Sequence, residues 1–464
     1  MQFVVAIHFS IYAIIHIMDN EKHLFTNKQL AAILAPVIIE QILNIFMGTI
    51  DTMMVSNVGP AAISAVSLVD SLNVLIIQLF AALATGGTII CSQYIGAKNE
   101  NKANEAAKQV IFVSMFISIM VTIFLFVFGS LLLKLIFGQV DLDVMNNSKI
   151  YFFITALSFP FVALYNSGAA IFRSQDNTKT PMQVSFASNI VNVIGNAILI
   201  FGFKIGVAGA ATATLVSRIL CAVWILLLLR SKSNRINIRN ITSIRPNKYT
   251  IGKILSLGIP SGIENSMFQL GKLVIQSSVS TLGTIAIAAQ AMTIILEQLN
   301  GMAAIGAGMA LMTIVGQCIG AGRKDEAIYY IKKVCFISEI IIVVSCLITF
   351  AITKPVILFS GMEKASGELC FYMMCWITII KPIAWNMAFV PGYGMRAAGD
   401  VKFSMIVSSI TMWTVRVGLV IILIRVFHFG PMAVWIGQMS DWTVRSIIFT
   451  ARFKSNKWLK YKVI

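Results

Sequence analysis

Glu40 and Asp51 stand in a stretch otherwise apolar enough for lipid, "PVIIEQILNIFMGTIDTMMV", residues 36–55. A charged side chain at the bilayer centre costs ~3 kcal/mol or more, so intramembrane acids face a protein interior and have a function there. At about 100° per residue, Glu40, Asn44 and Asp51 fall within about 60° of one another on a helix, which predicts one wall of a polar cavity. A carboxylate in such a wall can exchange a proton or hold a cation. Asp70, in "LVDSLN", is another acid of this kind. The second half of the chain carries more: Glu297, Lys381, Arg416, Asp441 and Arg445 lie in or near apolar runs. "SDWTVRSIIFTARF" puts Asp441 and Arg445 at i, i+4, an intrahelical pair. These charges can neutralise one another as a structural network or pass protons as a relay, and the sequence leaves both open. Asp51 is expected to have no basic partner in the neighbouring spans of the N-terminal half.

Other chemistries find no support. The seven cysteines are scattered through apolar runs with no CxxC and no Cys/His cluster. No HExxH, GxSxG or phosphate-cradling glycine loop occurs. The reading is therefore of a protein that is not an enzyme and needs no cofactor, with no metal cluster supported.

The elements that must position these residues are membrane helices. The chain is 58% hydrophobic and 12% charged, with a mean hydropathy of +0.84. Soluble domains carry about 25% charge. A net charge of +17 could point to nucleic acid, but Lys and Arg gather in short connectors and at the C-terminus, the signature of membrane topology. Twelve apolar runs are long enough to span about 30 Å of hydrocarbon. They fall near 28–55, 60–93, 105–138, 149–172, 181–203 and 206–230, then 251–280, 284–317, 325–353, 367–393, 403–427 and 430–453. One set of connectors holds about 23 Lys and Arg and the opposite set about six, so the basic side and both termini are expected in the cytoplasm of a cell-membrane protein. Residues 1–18 are apolar but short for a span. Met18 reads as the natural start, with a short interfacial helix as the alternative. The division expected is a 1–27 extension, an N-lobe 28–230, a basic linker 231–250 and a C-lobe 251–464.

The halves repeat. At a shift of 224 residues, Pro36 meets Pro260, Glu40 meets Glu264, Gly59 meets Gly283, and "QYIGA" (93–97) meets "QCIGA" (317–321). Residues 36–114 show 21 identities in 79 positions without a gap. Further on, "RSQDNTK" (173–179) meets "RAAGDVK" (396–402) at a shift of 223. An even number of spans in each half predicts two six-helix lobes related by an axis along the membrane normal. Glu40 and Glu264 are equivalent positions, each four residues after a proline. A helix-end role and a functional role both fit them.

"IDTMMVSNVG", "QYIGAKNENKANEA", "VNVIGNAILIFG" with "GVAGAATATLVS", "GIPSGIENSMFQLG" and "RAAGDVKFSM" together resemble the multidrug and toxic compound extrusion (MATE) family, from about residue 25 to the end. The resemblance implies an all-α membrane protein of twelve helices in two pseudo-symmetric lobes set in a V. It implies a monomeric secondary transporter that exports cationic or amphipathic drugs in exchange for H⁺ or Na⁺. It makes Asp51 the coupling carboxylate, completed by Asn192, Asn196 and Thr214. Asn196 departs from the family pattern, where an acid often stands, and a lone carboxylate makes a weaker Na⁺ cage, which tilts the expectation toward protons. Asn192 and Asn196 are one turn apart and could also serve as interhelical glue. Met53, Met54 and Met267, on the two lobe-leading helices, are the pocket candidates, since methionine suits deformable binding surfaces. A flippase for a lipid-linked oligosaccharide is the alternative. It would need a more basic cavity to hold a pyrophosphate.

Overall fold

A computed structural model of the chain describes residues 23–138, 140–238 and 244–464. The readings of residues 1–17, of Met18 as the start and of part of the 231–250 linker lie outside the described residues. The first half contains α1 (Asn27–Ser56), α2 (Pro60–Gly96), α3 (Glu100–Phe137), α4 (Leu142–Ala156), α5 (Phe159–Ser174), α6 (Lys179–Asn196) and α7 (Val207–Leu229). The second contains α8 (Lys248–Val279), α9 (Thr284–Leu299), α10 (Met302–Gly320), α11 (Lys324–Phe359), α12 (Lys364–Ala397), α13 (Val401–Ile410), α14 (Gly418–Arg425) and α15 (Met432–Lys454). No strand occurs among the described residues.

Among the described residues, nine helical segments are long and apolar enough to cross a membrane, and α4 with α5, bent by 45°, makes a tenth. α8 and α15 fall short because polar residues dilute them: Glu264, Asn265, Gln269 and Lys272 in one, Asp441 and Arg445 in the other. With these two, the chain makes twelve passes, six in each half, at the positions the apolar runs predict. Each fifth pass contains a π-helical segment, Ala197–Gly202 after α6 and Thr411–Val417 between α13 and α14. Such wide turns disturb the regular i→i−4 ladder and often accompany functional sites.

The duplication is visible in the backbone. Left-handed φ values recur at the repeat distance: Gly59 (+134°) and Gly283 (+87°), Lys98 (+57°) and Gly322 (+74°), Asp176 (+66°) and Gly399 (+104°), Lys204 and His428 (both +53°). These positions close one helix and aim the next, so the same turns were kept in both copies while the side chains diverged.

The helices form two compact units that do not follow the sequence halves. One unit is Ile42–Asn265. The other is Ser266–Ile464 together with the described residues up to Gln41. Each lead helix therefore gives its beginning to one unit and its end to the other. Glycines make the exchanged ends fit. A Cβ on Gly306 of α10 would lie 2.9 Å from Ile38 Cα of α1, and one on Gly86 of α2 would lie 2.7 Å from the Ile254 carbonyl oxygen of α8. These are backbone neighbours, which cannot move aside as a flexible side chain can. Gly86→Ala should therefore cost about 1–3 kcal/mol through overpacking. The check is thermal unfolding of the purified protein in detergent, with Gly252→Ala, which meets nothing within 4 Å, as the neutral comparison.

Candidate functional site

In the Ile42–Asn265 unit, α6 and α7 approach closely because both are small at the contact. A Cβ on Gly195 would lie 3.0 Å from Ala213 Cβ. That approach brings Asn192 and Asn196, one turn apart on α6, against Thr214 on α7 and Asp51 on α1. Asn196 Nδ2 donates to Asp51 Oδ1 at 2.8 Å. With the Asn192 amide turned so that both its ends are satisfied, its nitrogen donates to Asp51 Oδ1 and Oδ2 at 2.7 and 3.1 Å, and its oxygen accepts from Thr214 Oγ1 at 3.3 Å. Asn192 and Asn196 are 6% and 1% exposed, while Asp51 is half-buried. The four residues named from the sequence thus converge, although 163 positions separate Asp51 from Thr214. The arrangement presents one charge and several neutral oxygens, which suits a proton or a small monovalent cation.

A further group adjoins it. Asp70 Oδ1 accepts from Asn73 Nδ2 and from the Tyr151 hydroxyl, both at 3.2 Å. Arg218, one turn beyond Thr214 on α7, donates to Ser158 Oγ at 2.7 Å, at the bend between α4 and α5. The Arg218 guanidinium interacts electrostatically with both Asp70 and Asp51. This corrects the expectation that Asp51 has no basic partner in neighbouring N-half spans. Arg218 lies inside the 206–230 run, where its long apolar neighbours mask it. Tyr151 and Ser158 are also missed by sequence reading, because neither residue type stands out in an apolar run.

The wall predicted on α1 is divided. Asn44 Oδ1 accepts from Ser185 Oγ at 3.2 Å, in the same unit as Asp51. Glu40 is 2% exposed and belongs to the other unit. Glu264 stands beside Asn265, whose amide donates to Gln78 Oε1 at 3.3 Å. Of the methionines, Met54 packs against the core of the Ile42–Asn265 unit, Met53 is 64% exposed and Met267 is half-buried.

The second unit holds a denser charge system. Lys381, fully buried, lies 2.5 Å from Glu297 Oε1, donates to the Glu297 carbonyl at 3.0 Å, and also donates to Asn300 Oδ1. Asp441 is held between two guanidiniums, Arg416 at 2.7 Å and Arg445 at 3.1 Å. Gly437, one turn before Asp441, allows this. A Cβ there would lie 2.9 Å from the Arg416 carbonyl oxygen, so α15 reaches the π-helical segment that carries Arg416. The sequence finds Asp441 with Arg445. It also counts Arg416 among the charges that can neutralise one another, but the direct Arg416–Asp441 contact, 25 residues apart, is seen only in the structure.

The MatE family model matches residues 36–198 and again residues 260–422, two copies set apart by the repeat distance. An uncharacterized transporter of Bacillus subtilis is 27% identical over 92% of this chain and 93% of its own length. The "Probable multidrug resistance protein NorM" of Thermotoga maritima is 26% identical over 94% of each. A solved structure of a MATE protein in a straight conformation superposes with a TM-score of 0.85 at 19% identity, covering 93% of this chain and 96% of its own. With both halves matched, the chain belongs to the MatE family, the multidrug and toxic compound extrusion transporters.

Proposed function

We propose that this protein exports cationic or amphipathic compounds by alternating access, in exchange for H⁺ or Na⁺ taken up at Asp51. The convergence of Asn192, Asn196 and Thr214 on that carboxylate carries the reading. A bare carboxylate in the membrane is costly and holds a cationic compound. A proton or Na⁺ on it removes both effects, so cation loading favours one state and cation loss the other. Neutral amides and a hydroxyl around a single acid favour the proton, since Na⁺ gains most from several charged oxygens. Arg218 adds a fixed positive charge nearby and lowers the demand for a second cation. Both termini lie in the cytoplasm in this scheme, which follows the distribution of Lys and Arg. The flippase alternative is not favoured: both named relatives are transporters or multidrug resistance proteins.

The test is efflux of a fluorescent organic cation from proteoliposomes. An imposed pH gradient should drive efflux without Na⁺. A Na⁺ gradient at fixed pH should add little. Efflux that follows Na⁺ alone would overturn the proton assignment, and none under either gradient would overturn the export function.

A further inference from the structure

The two copies of the repeat carry local charge of opposite sign. Around Asp51 there are two carboxylates, Asp51 and Asp70, and one cation, Arg218. Around Phe268 in the second unit stand three cations, Lys272, Arg416 and Arg445, and one carboxylate, Asp441, an excess of two positive charges; Lys381 is paired with Glu297, and Glu339, another largely buried acid of this unit, lies by Asn386. The 224-residue shift puts Ile275 at the position of Asp51, and Lys272 stands one turn before it, at the position of Gly48. The 223-residue shift puts Asp441 at the position of Arg218.

The excess gathers on one aromatic ring. Phe268 and Lys272 share a face of α8 at i, i+4. The Phe268 centroid lies 5.3 Å from Lys272 Nζ, 4.9 Å from Arg416 Cζ and 5.7 Å from Arg445 Cζ. Gly271, beside Lys272, packs against the Met412 side chain, so this stretch of α8 lies against the π-helical segment that carries Arg416.

Two facts show that the cluster lacks an anion. Glu297 and Asp441 are already committed, the first to Lys381 and the second to both arginines. Arg416 and Arg445, each 2% exposed, keep an Nε–H with no acceptor among the described residues. Lys272 has no carboxylate at ion-pair distance among the described residues, feels Glu297 only at longer range, and is open to solvent. Buried donors left unpaired are costly, and cations without a counter-charge more so. A negatively charged group at Lys272 supplies the missing counter-charge, and an ammonium group binds its oxygens through short charge-assisted hydrogen bonds.

We propose that the second unit is an oxyanion-binding site. Lys272 holds the carboxylate, phosphate or sulfonate of an amphipathic substrate in the positive field of the buried Arg416 and Arg445, and Phe268 carries its apolar body. Lys272 is the entry residue, since it alone of the cations is open. Substrates of this chain then include amphipathic anions and zwitterions as well as cations. Calling the occupant a substrate rests on the export function proposed above; the binding site itself does not.

Binding is measured without any gradient, by calorimetry on the full chain in an uncharged maltoside detergent. The probes are pyrenebutyrate and its uncharged methyl ester, which share one apolar body. The carboxylate should bind about tenfold tighter than the ester, as one charge-assisted contact allows. Lys272→Gln should abolish that preference, and Lys272→Arg should keep most of it. Asp51→Asn should leave it unchanged, so loss of transport and loss of this site are read separately. Equal binding of acid and ester by the native chain would overturn the proposal, as would a preference that survives Lys272→Gln. Displacement of pyrenebutyrate by phosphatidylglycerol but not by phosphatidylcholine would assign the site to an anionic lipid headgroup and overturn the substrate assignment.

Discussion

Asp51→Asn should reduce gradient-driven export to the level of empty vesicles while leaving folding and membrane insertion intact. Asparagine keeps the outline of the side chain. Its oxygen can still accept from Asn196, whose amide lies 2.8 Å from Asp51 Oδ1. Its NH₂ can be satisfied if Asn192, whose nitrogen donates to the Asp51 carboxylate, turns to present its oxygen instead. What asparagine cannot do is change charge. The carboxylate alone distinguishes a loaded site from an empty one, and a ligand shifts a conformational equilibrium only through its differential affinity for the two states. Without that difference the coupling ion and the exported compound no longer exclude one another. The assay is efflux from proteoliposomes reconstituted at matched protein density, with unfolding temperature as the control for folding. Full efflux by Asp51→Asn would place the coupling acid elsewhere, with Glu264, Glu297 and Asp441 the remaining candidates.

The fold was legible because membrane helices announce themselves by length and composition, and because a duplication doubles every signal. Gly59 and Gly283, or "QYIGA" and "QCIGA", mark matching turns in both halves, and the helices begin and end within a few residues of the apolar runs. The exchange of helix ends between units was not legible. It depends on Gly86 and Gly306 meeting backbone atoms of distant helices, and a glycine in an apolar run looks the same whether or not anything approaches it. The Asp51 group was legible only through family resemblance. Spacing put Asn192 and Asn196 on one face, but nothing in it aimed that face at α1. Arg218 and Lys272 were missed for a common reason. Each is a single cation within an apolar run, and only its three-dimensional neighbours separate a residue facing buried charge from one reaching for the membrane surface.

Asp441→Asn should destabilise the protein by about 3–5 kcal/mol, the usual cost of removing one partner from a buried ion pair. Asp441 is fully buried, and so nearly are its two arginines. Losing its charge leaves two guanidiniums facing each other in a unit that already carries surplus positive charge. An amide oxygen can accept one of the hydrogen bonds but neutralises neither cation. The effect should appear as a lower unfolding temperature in detergent, and adding Arg416→Met should recover part of the loss, since that removes one of the stranded charges. Their coupling, taken from the double-mutant cycle, should be well above the error of independent sites. The same variants separate the two roles the sequence left open. A structural network predicts that stability falls and that efflux per folded molecule survives in Asp441→Asn with Arg416→Met. A proton relay predicts the reverse: unchanged unfolding temperature, and efflux lost in every variant that lacks the Asp441 carboxylate. Asp441 already accepts from both arginines, at 2.7 and 3.1 Å, and is sealed from solvent. An acid paired with two cations is the keystone of a network, so the structural outcome is the one expected.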